Sequence, residues 1–222
     1  MNKLLLTLSL VLLTTFSFAQ TFNLGVKAGV NLSTTAFSTT YANYAVDPQN
    51  RTGFQVGVIG DIAFQHFIVQ PGLFFITKGG KFTDEYSFLG TYQSYSYHTT
   101  GTDKFNYLEM PVNLLYKVQV APATKIYAGG GPYIGYALSG SVISQETGSQ
   151  TANYNESLAF GNDRTKDEYK PFDYGINFIA GVEIKKHYTI DLNYSLGLKN
   201  IVWTPEDNIK NRSLGLSIGY LF

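Results

Sequence analysis

The chain has 222 residues, no cysteine, 16 basic against 16 acidic groups and a charged fraction of 14%. That composition excludes a disulfide framework, a thiolate metal site and the basic surface of a nucleic-acid binder. Its 22 glycines, 17 tyrosines and 16 phenylalanines describe strands and turns rather than packed helices, so an all-β fold is expected.

Residues 1–19 read as a cleavable export signal: Lys3, an uncharged run from Leu4 to Ala19, and a small-x-small ending at Ser17, Phe18 and Ala19. The run is diluted by Thr7, Ser9, Thr14, Thr15 and Ser17 and falls short of the roughly 20 apolar residues of a spanning helix. Residues 20–222 then form one domain of net charge −1, with no cysteine to carry a lipid.

From Phe22 onward, apolar and polar or small side chains alternate over stretches separated by turns or loops, and a period of two specifies strands. The first stretch, 22–32, sets Phe22, Leu24, Val26 and Val30 against Asn23, Lys27 and Asn31. The second, 53–64, sets Phe54, Val56, Val58 and Ile62 against Gln55 and Asp61. In the third, 67–78, Phe67, Val69, Leu73 and Phe75 oppose Gln70 and Lys78, with Ile68, Phe74 and Ile76 blurring the alternation. The fourth, 105–118, places Leu108, Met110, Val112, Leu114 and Tyr116 opposite Glu109, Asn113 and Lys117. Four more follow at 125–138, 172–185, 188–200 and 213–222. Pro71, Pro111 and Pro132 interrupt the third, fourth and fifth, and each removes a ladder donor, so bulges or broken pairing are expected there.

The links alternate in length. Those at 65–66, 119–124 and 186–187 are tight, whereas 33–52, 79–104, 139–171 and 201–212 are long. An even number of antiparallel strands with short turns at one end and long loops at the other implies an eight-stranded antiparallel transmembrane β-barrel of outer-membrane type, with both termini periplasmic and the long loops outside. A soluble lipocalin-like barrel is the competing architecture.

Charge placement separates the two. Lys27, Asp61, Lys78, Glu109 and Lys117 fall on the face opposite the apolar stripe, as do Lys125, Asp173, Glu183, Asp191 and Lys199. A stripe without charge has to meet lipid, which leaves the charges lining a narrow lumen. Five lysines facing five carboxylates suit pairing across a confined interior better than a selective channel. Matching heights on neighbouring strands suggest Lys78 with Glu109, Asp173 with Lys199, Lys27 with Asp61, and Lys125 with Glu183. Tyr220 and the terminal Phe222, on an alternating last strand, resemble the signal read by the outer-membrane assembly machinery.

The strings GVKAGVNLS (25–33), QPGLFFITKGGKF (70–82), YLEMPVNLLYKV (107–118) and YAGGGPYIGY (127–136), with DYGINFIAGVEI and DLNYSLGLKNI near the end, resemble the PorT-like outer-membrane β-barrel family of Bacteroidota. The resemblance covers nearly all of 20–222 except the long loops. It implies an eight-stranded outer-membrane barrel. The family's namesake is linked to export of secreted proteases by the type IX secretion machinery. No catalytic residues carry over.

Chemistry is sparse. His66 and His187 lie in tight turns and His98 in a long loop, where Asp84, Glu85 and Asp103 offer an acid-base group that reads better as a solvated polar loop. The acidic residues of 139–171 lack calcium-loop spacing. Gly129 to Pro132 lacks the lysine and the helix of a phosphate loop. Neither a cofactor nor a metal is therefore expected, and no enzymatic activity. Tyr92, Tyr95 and Tyr97 are the candidate loop contacts, since tyrosine offers apolar area and a hydrogen-bonding tip to a partner, against the plainer reading that the rings pack on one another. The expected role is a structural, docking or secretion-accessory barrel whose partners are membrane lipid, the assembly machinery and a secretion-system or surface protein. The alternative is a narrow passive diffusion channel of porin type, although aqueous porins need about 16 strands.

Overall fold

The computed structural model describes residues 21–39, 46–89, 94–147 and 151–222, and those residues hold strands and turns without a helix. The export-signal reading of 1–19 lies outside the described residues. In chain order the strands are β1 (Thr21–Thr39), β2 (Val46–Gln49), β3 (Arg51–Phe64), β4 (Phe67–Lys78), β5 (Lys81–Leu89) and β6 (Ser94–Ala121). They continue with β7 (Thr124–Thr147), β8 (Thr151–Ser157), β9 (Phe172–Ile184), β10 (Tyr188–Gly197) and β11 (Asp207–Leu221).

Eight of these strands, in the order β1-β3-β4-β6-β7-β9-β10-β11, form an antiparallel ring. The ring closes where β11 returns to β1 from Gly25↔Leu221 to Thr39↔Asp207. Closure leaves no strand edge in the bilayer, as a medium without hydrogen-bonding solvent demands. Period-two alternation gives each strand two unlike faces. Outward-facing Phe22, Val30, Leu114, Leu192 and Ile218 are 54–65% exposed. Inward-facing Lys27, Asn31, Gln55, Asp61 and Asp191 are buried. Apolar outside and polar inside inverts a soluble protein and fits a barrel in lipid.

At one end the connections are tight. Gln65 at φ 55° turns β3 into β4, and Lys185 and Lys186 at φ 53° and 64° turn β9 into β10. At the other end the strands continue far past the bilayer. The 28 residues of β6 span about 90 Å at about 3.3 Å per residue, where a tilted membrane strand needs roughly 9–11 residues. β6 and β7 stay paired up to His98↔Thr147, and β5 with β2 on one side and β8 on the other widen them into the blade β2-β5-β6-β7-β8. Among the described residues, 33–52 and 79–104, expected as loops, are therefore largely strand, and 139–171 is strand as far as Ser157. Outside the lipid both faces of a strand can meet water, so hydrophobic alternation fades, while runs such as 94–102 keep the Thr and Tyr that favour strands. Gly79, at φ 126°, makes the join between β4 and β5, and a Cβ there would lie 2.1 Å from the Asp103 carbonyl oxygen.

The prolines break pairing without changing register. The β3–β4 ladder skips from Ile59↔Gly72 to Ile62↔Val69 beside Pro71, and β6–β7 skips from Pro111↔Tyr133 to Leu114↔Gly130. Register shifts occur instead at Asn106/Tyr107 and Gln119/Ala121. Inward and outward faces are thus kept through β4, β6 and β7.

Candidate functional site: a filled lumen beneath an open cup

The lumen holds its charges in three groups. Near the tight turns, Lys117 Nζ lies 2.6 Å from Glu183 Oε2 and 3.2 Å from Asp61 Oδ2, and Lys125 Nζ lies 3.5 Å from Glu183 Oε1. At mid-height, Lys27 Nζ is 2.9 Å from Asp191 Oδ2, which also accepts a 3.1 Å bond from the Tyr127 hydroxyl. Near the blade, Lys78 Nζ is 2.5 Å from Glu109 Oε2 and 3.6 Å from Asp173 Oδ2, and it sits 4.3 Å from the Tyr133 ring centroid. Asp173 Oδ2 accepts further bonds from Asn211 Nδ2 at 3.0 Å and the Tyr133 hydroxyl at 3.3 Å. Buried ions lose hydration, and only close pairing with extra hydrogen bonds offsets that loss.

Apolar side chains fill what the charges leave. Ile68, Leu115, Tyr127 and Ile179 cluster in the lower lumen. Ile76, Phe105, Tyr107, Ala137 and Ile201 form an upper cluster, with Leu158, Phe160, Tyr169 and Ile209 packed against it. Ile68 and Ile76, which blur the alternation of β4, are thus core residues of the lumen. Between the clusters a cavity bordered by Lys27, Gln55, Glu109 and Asp191 measures about 40 Å³, room for only a few waters.

The upper cluster is covered by a strap, residues 158–171, that bends back over the mouth through bridges Phe160↔Tyr169 and Tyr169↔Val202. Asp163 organises its turn: Oδ1 accepts from the Thr165 backbone N–H at 3.1 Å and hydroxyl at 2.6 Å, which holds its carboxyl below the usual range. Trp203 Nε1 donates to the Gly161 carbonyl at 3.1 Å. The Arg164 guanidinium lies 5.0 Å and Lys170 Nζ 4.8 Å from the Trp203 ring centroid.

Above this plug lies an open cup of about 560 Å³. Phe37, Phe82, Tyr169 and Trp203 give it aromatic walls. Asp84, Asp103, Glu156, Asp167, Glu168 and Asp207 also border it, with Arg164 as the cation. Phe82 pairs with Gly101, where a Cβ would fall 2.1 Å from the ring, so the missing side chain leaves space for the phenyl group against the sheet. Burial, then the neighbouring Asp84, pushes the Asp103 carboxyl up to about 6. Burial, then Asp103, raises the Tyr169 phenol above its ordinary value.

A family profile described as an outer membrane protein beta-barrel domain matches residues 18–202. The chain belongs to this family. Like other outer membrane protein beta-barrels, it resides in the outer membrane. Among solved structures it is similar to OprG of Pseudomonas aeruginosa, at 9% identity and TM-score 0.42 over 91% of this chain and 97% of that one. It is also similar to Ail, the attachment invasion locus protein of Yersinia pestis, at 11% identity and TM-score 0.38 over 90% and 98%. No curated protein matches the chain.

Within this barrel, the residues singled out from sequence are distributed unevenly. Lys78 meets Glu109 and Lys125 meets Glu183. The expected Lys27–Asp61 pair is not formed: Lys27 turns to Asp191 across β11, and Asp61 binds Lys117 and Gln70. Asp173 is not paired with Lys199 either. The chain leaves β10 after Gly197, so Lys199 lies beyond the regular strand, 5.5 and 5.9 Å from the outward rings of Tyr174 and Phe172, and Lys78 takes its place beside Asp173. Alternation read past the strand end misassigned Lys199. Tyr92 lies outside the described residues. Tyr95 and Tyr97 belong to β6, opposite Phe88 and Tyr86 of β5, rather than to a loop. Tyr220 packs on Tyr188 and Phe222 at 5.5 Å each, and the Phe222 N–H donates to the Leu24 carbonyl at 2.8 Å. Sequence reasoning missed the strap and the cup. The available signals were the single tryptophan and the mixed charges of 162–170.

Proposed function

We propose that this outer-membrane barrel is a non-enzymatic docking protein that conducts no solute and acts through its long-stranded end, which faces outside the cell with both termini in the periplasm. The observation that carries the reading is the double obstruction of the lumen: ion pairs around Lys117, Lys27 and Lys78 below, and the Phe105, Tyr107 and Ile201 plug above. With the strand faces committed to lipid and to lumen packing, recognition falls to the blade, the strap and the tyrosines Tyr92, Tyr95 and Tyr97. A surface or secretion-system protein is the partner class. In its PorT-like form the role is accessory to export of secreted proteins, and Tyr220 with Phe222 presents the chain to the assembly machinery.

The competing role, a narrow diffusion channel, needs a continuous water path, which a lumen cavity of about 40 Å³, bordered by the ion-paired Lys27, Asp191 and Glu109 and by neutral polar and apolar side chains, does not favour. Purified protein in a planar lipid bilayer is expected to give no stable porin-sized conductance. Reproducible large steps overturn the closed-barrel reading.

A further inference from the structure

The cup combines three features: a volume of about 560 Å³, aromatic walls and one dominant sign of charge. Volumes of roughly 300–1,000 Å³ suit small organic ligands. Among the described residues, Asp103, Glu156, Asp167, Glu168 and Asp207 form no ion pair with a lysine or arginine. In the lumen the same carboxylate chemistry is neutralised by lysine, so the cup has a deficit of cations rather than a general excess of acid. The acidic side chains are also spread around the cavity. Among the described residues no three His, Asp or Glu side chains converge in a way that holds a metal ion. A point charge such as a divalent metal is therefore poorly matched, whereas a ligand with cationic groups set apart on an apolar body is well matched.

A second observation comes from the protein's own side chains. Arg164, which borders the cup, lies over the Trp203 ring, and Lys170 approaches the same ring at 4.8 Å. The aromatic wall already accepts a guanidinium and an ammonium group, as the electron-rich face of an indole does. Phe82, made possible by Gly101, adds apolar surface between Asp84 and Asp103.

We infer that the cup binds organic polycations: alkylammonium or guanidinium groups carried on an apolar chain, whether a free polyamine or the lysine or arginine side chains of a protein segment. Carboxylates hold the charged ends, Trp203 and Phe82 hold the methylenes, and Arg164 occupies one cation position in the free protein. The inference rests on the reading that the long-stranded end is the functional surface, but not on closure of the lumen.

Trp203 is the only tryptophan in the chain and borders the cup, so its fluorescence reports occupancy directly. Folded full-length protein in detergent micelles, titrated with spermidine at low salt, is expected to give a saturable change that 1,6-hexanediol and Mg²⁺ do not reproduce. Asp103→Asn with Glu168→Gln should weaken spermidine by about tenfold or more, and added salt should weaken it further. Arg164→Gln vacates a cation position and should tighten binding severalfold, a gain that misfolding cannot imitate. Trilysine competing with spermidine assigns the site to protein side chains as well, and failure of trilysine to compete restricts it to free amines. A non-saturable spermidine response, an equal response to Mg²⁺, or unchanged affinity in both variants overturns the inference. Bilayer conductance is recorded on the same preparation, so a conducting barrel that still binds spermidine counts against the closed-barrel role alone.

Discussion

The lumen and the cup are built on the same ladder of antiparallel strands, yet they treat carboxylates in opposite ways. In the lumen Glu109 and Asp173 share Lys78, Asp61 and Glu183 share Lys117, and Asp191 holds Lys27. In the cup Asp103, Glu156, Glu168 and Asp207 have no such partner among the described residues. A charge sealed inside a barrel has to be neutralised within the fold, because water cannot reach it. A charge on the wall of an open cavity needs no cation from within the fold, even where, as at Asp103, burial raises its affinity for a proton. The contrast separates side chains that hold the barrel together from those that remain free to recognise something else.

The sharpest way to break this contrast is to create in the lumen the cation deficit that the cup tolerates. Lys78→Met keeps the length and apolar stem of the side chain but leaves Glu109 and Asp173 buried without their cation. Removing one partner of a buried pair costs about 3–5 kcal/mol, so the variant is expected to unfold at markedly lower urea in lipid vesicles. Adding Glu109→Gln and Asp173→Asn should recover much of the loss. A Lys78→Met barrel as stable as the parent would mean that water reaches this layer, which would also weaken the case for a closed lumen.

A smaller effect is expected where the ring is fastened. Phe222 contributes one backbone bond to Leu24 and a ring contact with Tyr220. Deleting it should cost about 1–2 kcal/mol in the folded barrel. If Phe222 is also read by the assembly machinery, its deletion should lower the amount of barrel reaching the outer membrane far more than that modest instability explains. Measuring refolded stability in vesicles beside membrane abundance in cells separates the two roles, and abundance that falls only in step with stability removes the assembly role.

The same contrast explains what was legible in the sequence. Barrel strands such as 53–64 and 67–78 coincide with β3 and β4 almost to the residue, because lipid on one side and a packed lumen on the other force strict alternation. Past the bilayer that constraint vanishes. The Ser-, Thr- and Tyr-rich blade therefore read as loop, although Asp84 pairs with Thr99 and Ser141 with Ser157 in regular ladders. Heights along strands identified Lys78 with Glu109 but not Lys27 with Asp191, since strand tilt carries side chains across a neighbour. Trp203, Phe160 and Tyr169 come together through two isolated bridges, a contact without any periodic trace in the chain.

The gentlest probe of the difference is protonation. Asp103 titrates at about 6 instead of 3.8, chiefly because it is buried and secondly because Asp84 lies near. Its folded-state affinity for a proton thus exceeds that of the unfolded chain. The stability it contributes is fully present below its ordinary value and is lost as pH rises through about 6. Asp84 on β5, Glu156 on β8, Asp167, Glu168 and the Tyr169 hydroxyl on the strap and Asp207 at the start of β11 share this cavity, and Arg164, which also borders it, lies over the Trp203 ring rather than in an ion pair with Asp103. Backbone hydrogen exchange in residues 99–104 and 167–170, corrected for intrinsic rates, should therefore report a looser cup at neutral pH than near pH 5. Asp103→Asn should flatten that dependence and leave the lumen strands unchanged. The same ionisation that loosens the empty cup supplies charge for a cation, so spermidine affinity should fall as pH drops below about 6 in the parent. In Asp103→Asn the fall should be much reduced. If loosening and binding both persisted unchanged in the variant, the pH response would belong to other carboxylates of the cup, and Asp103 would be a structural residue only.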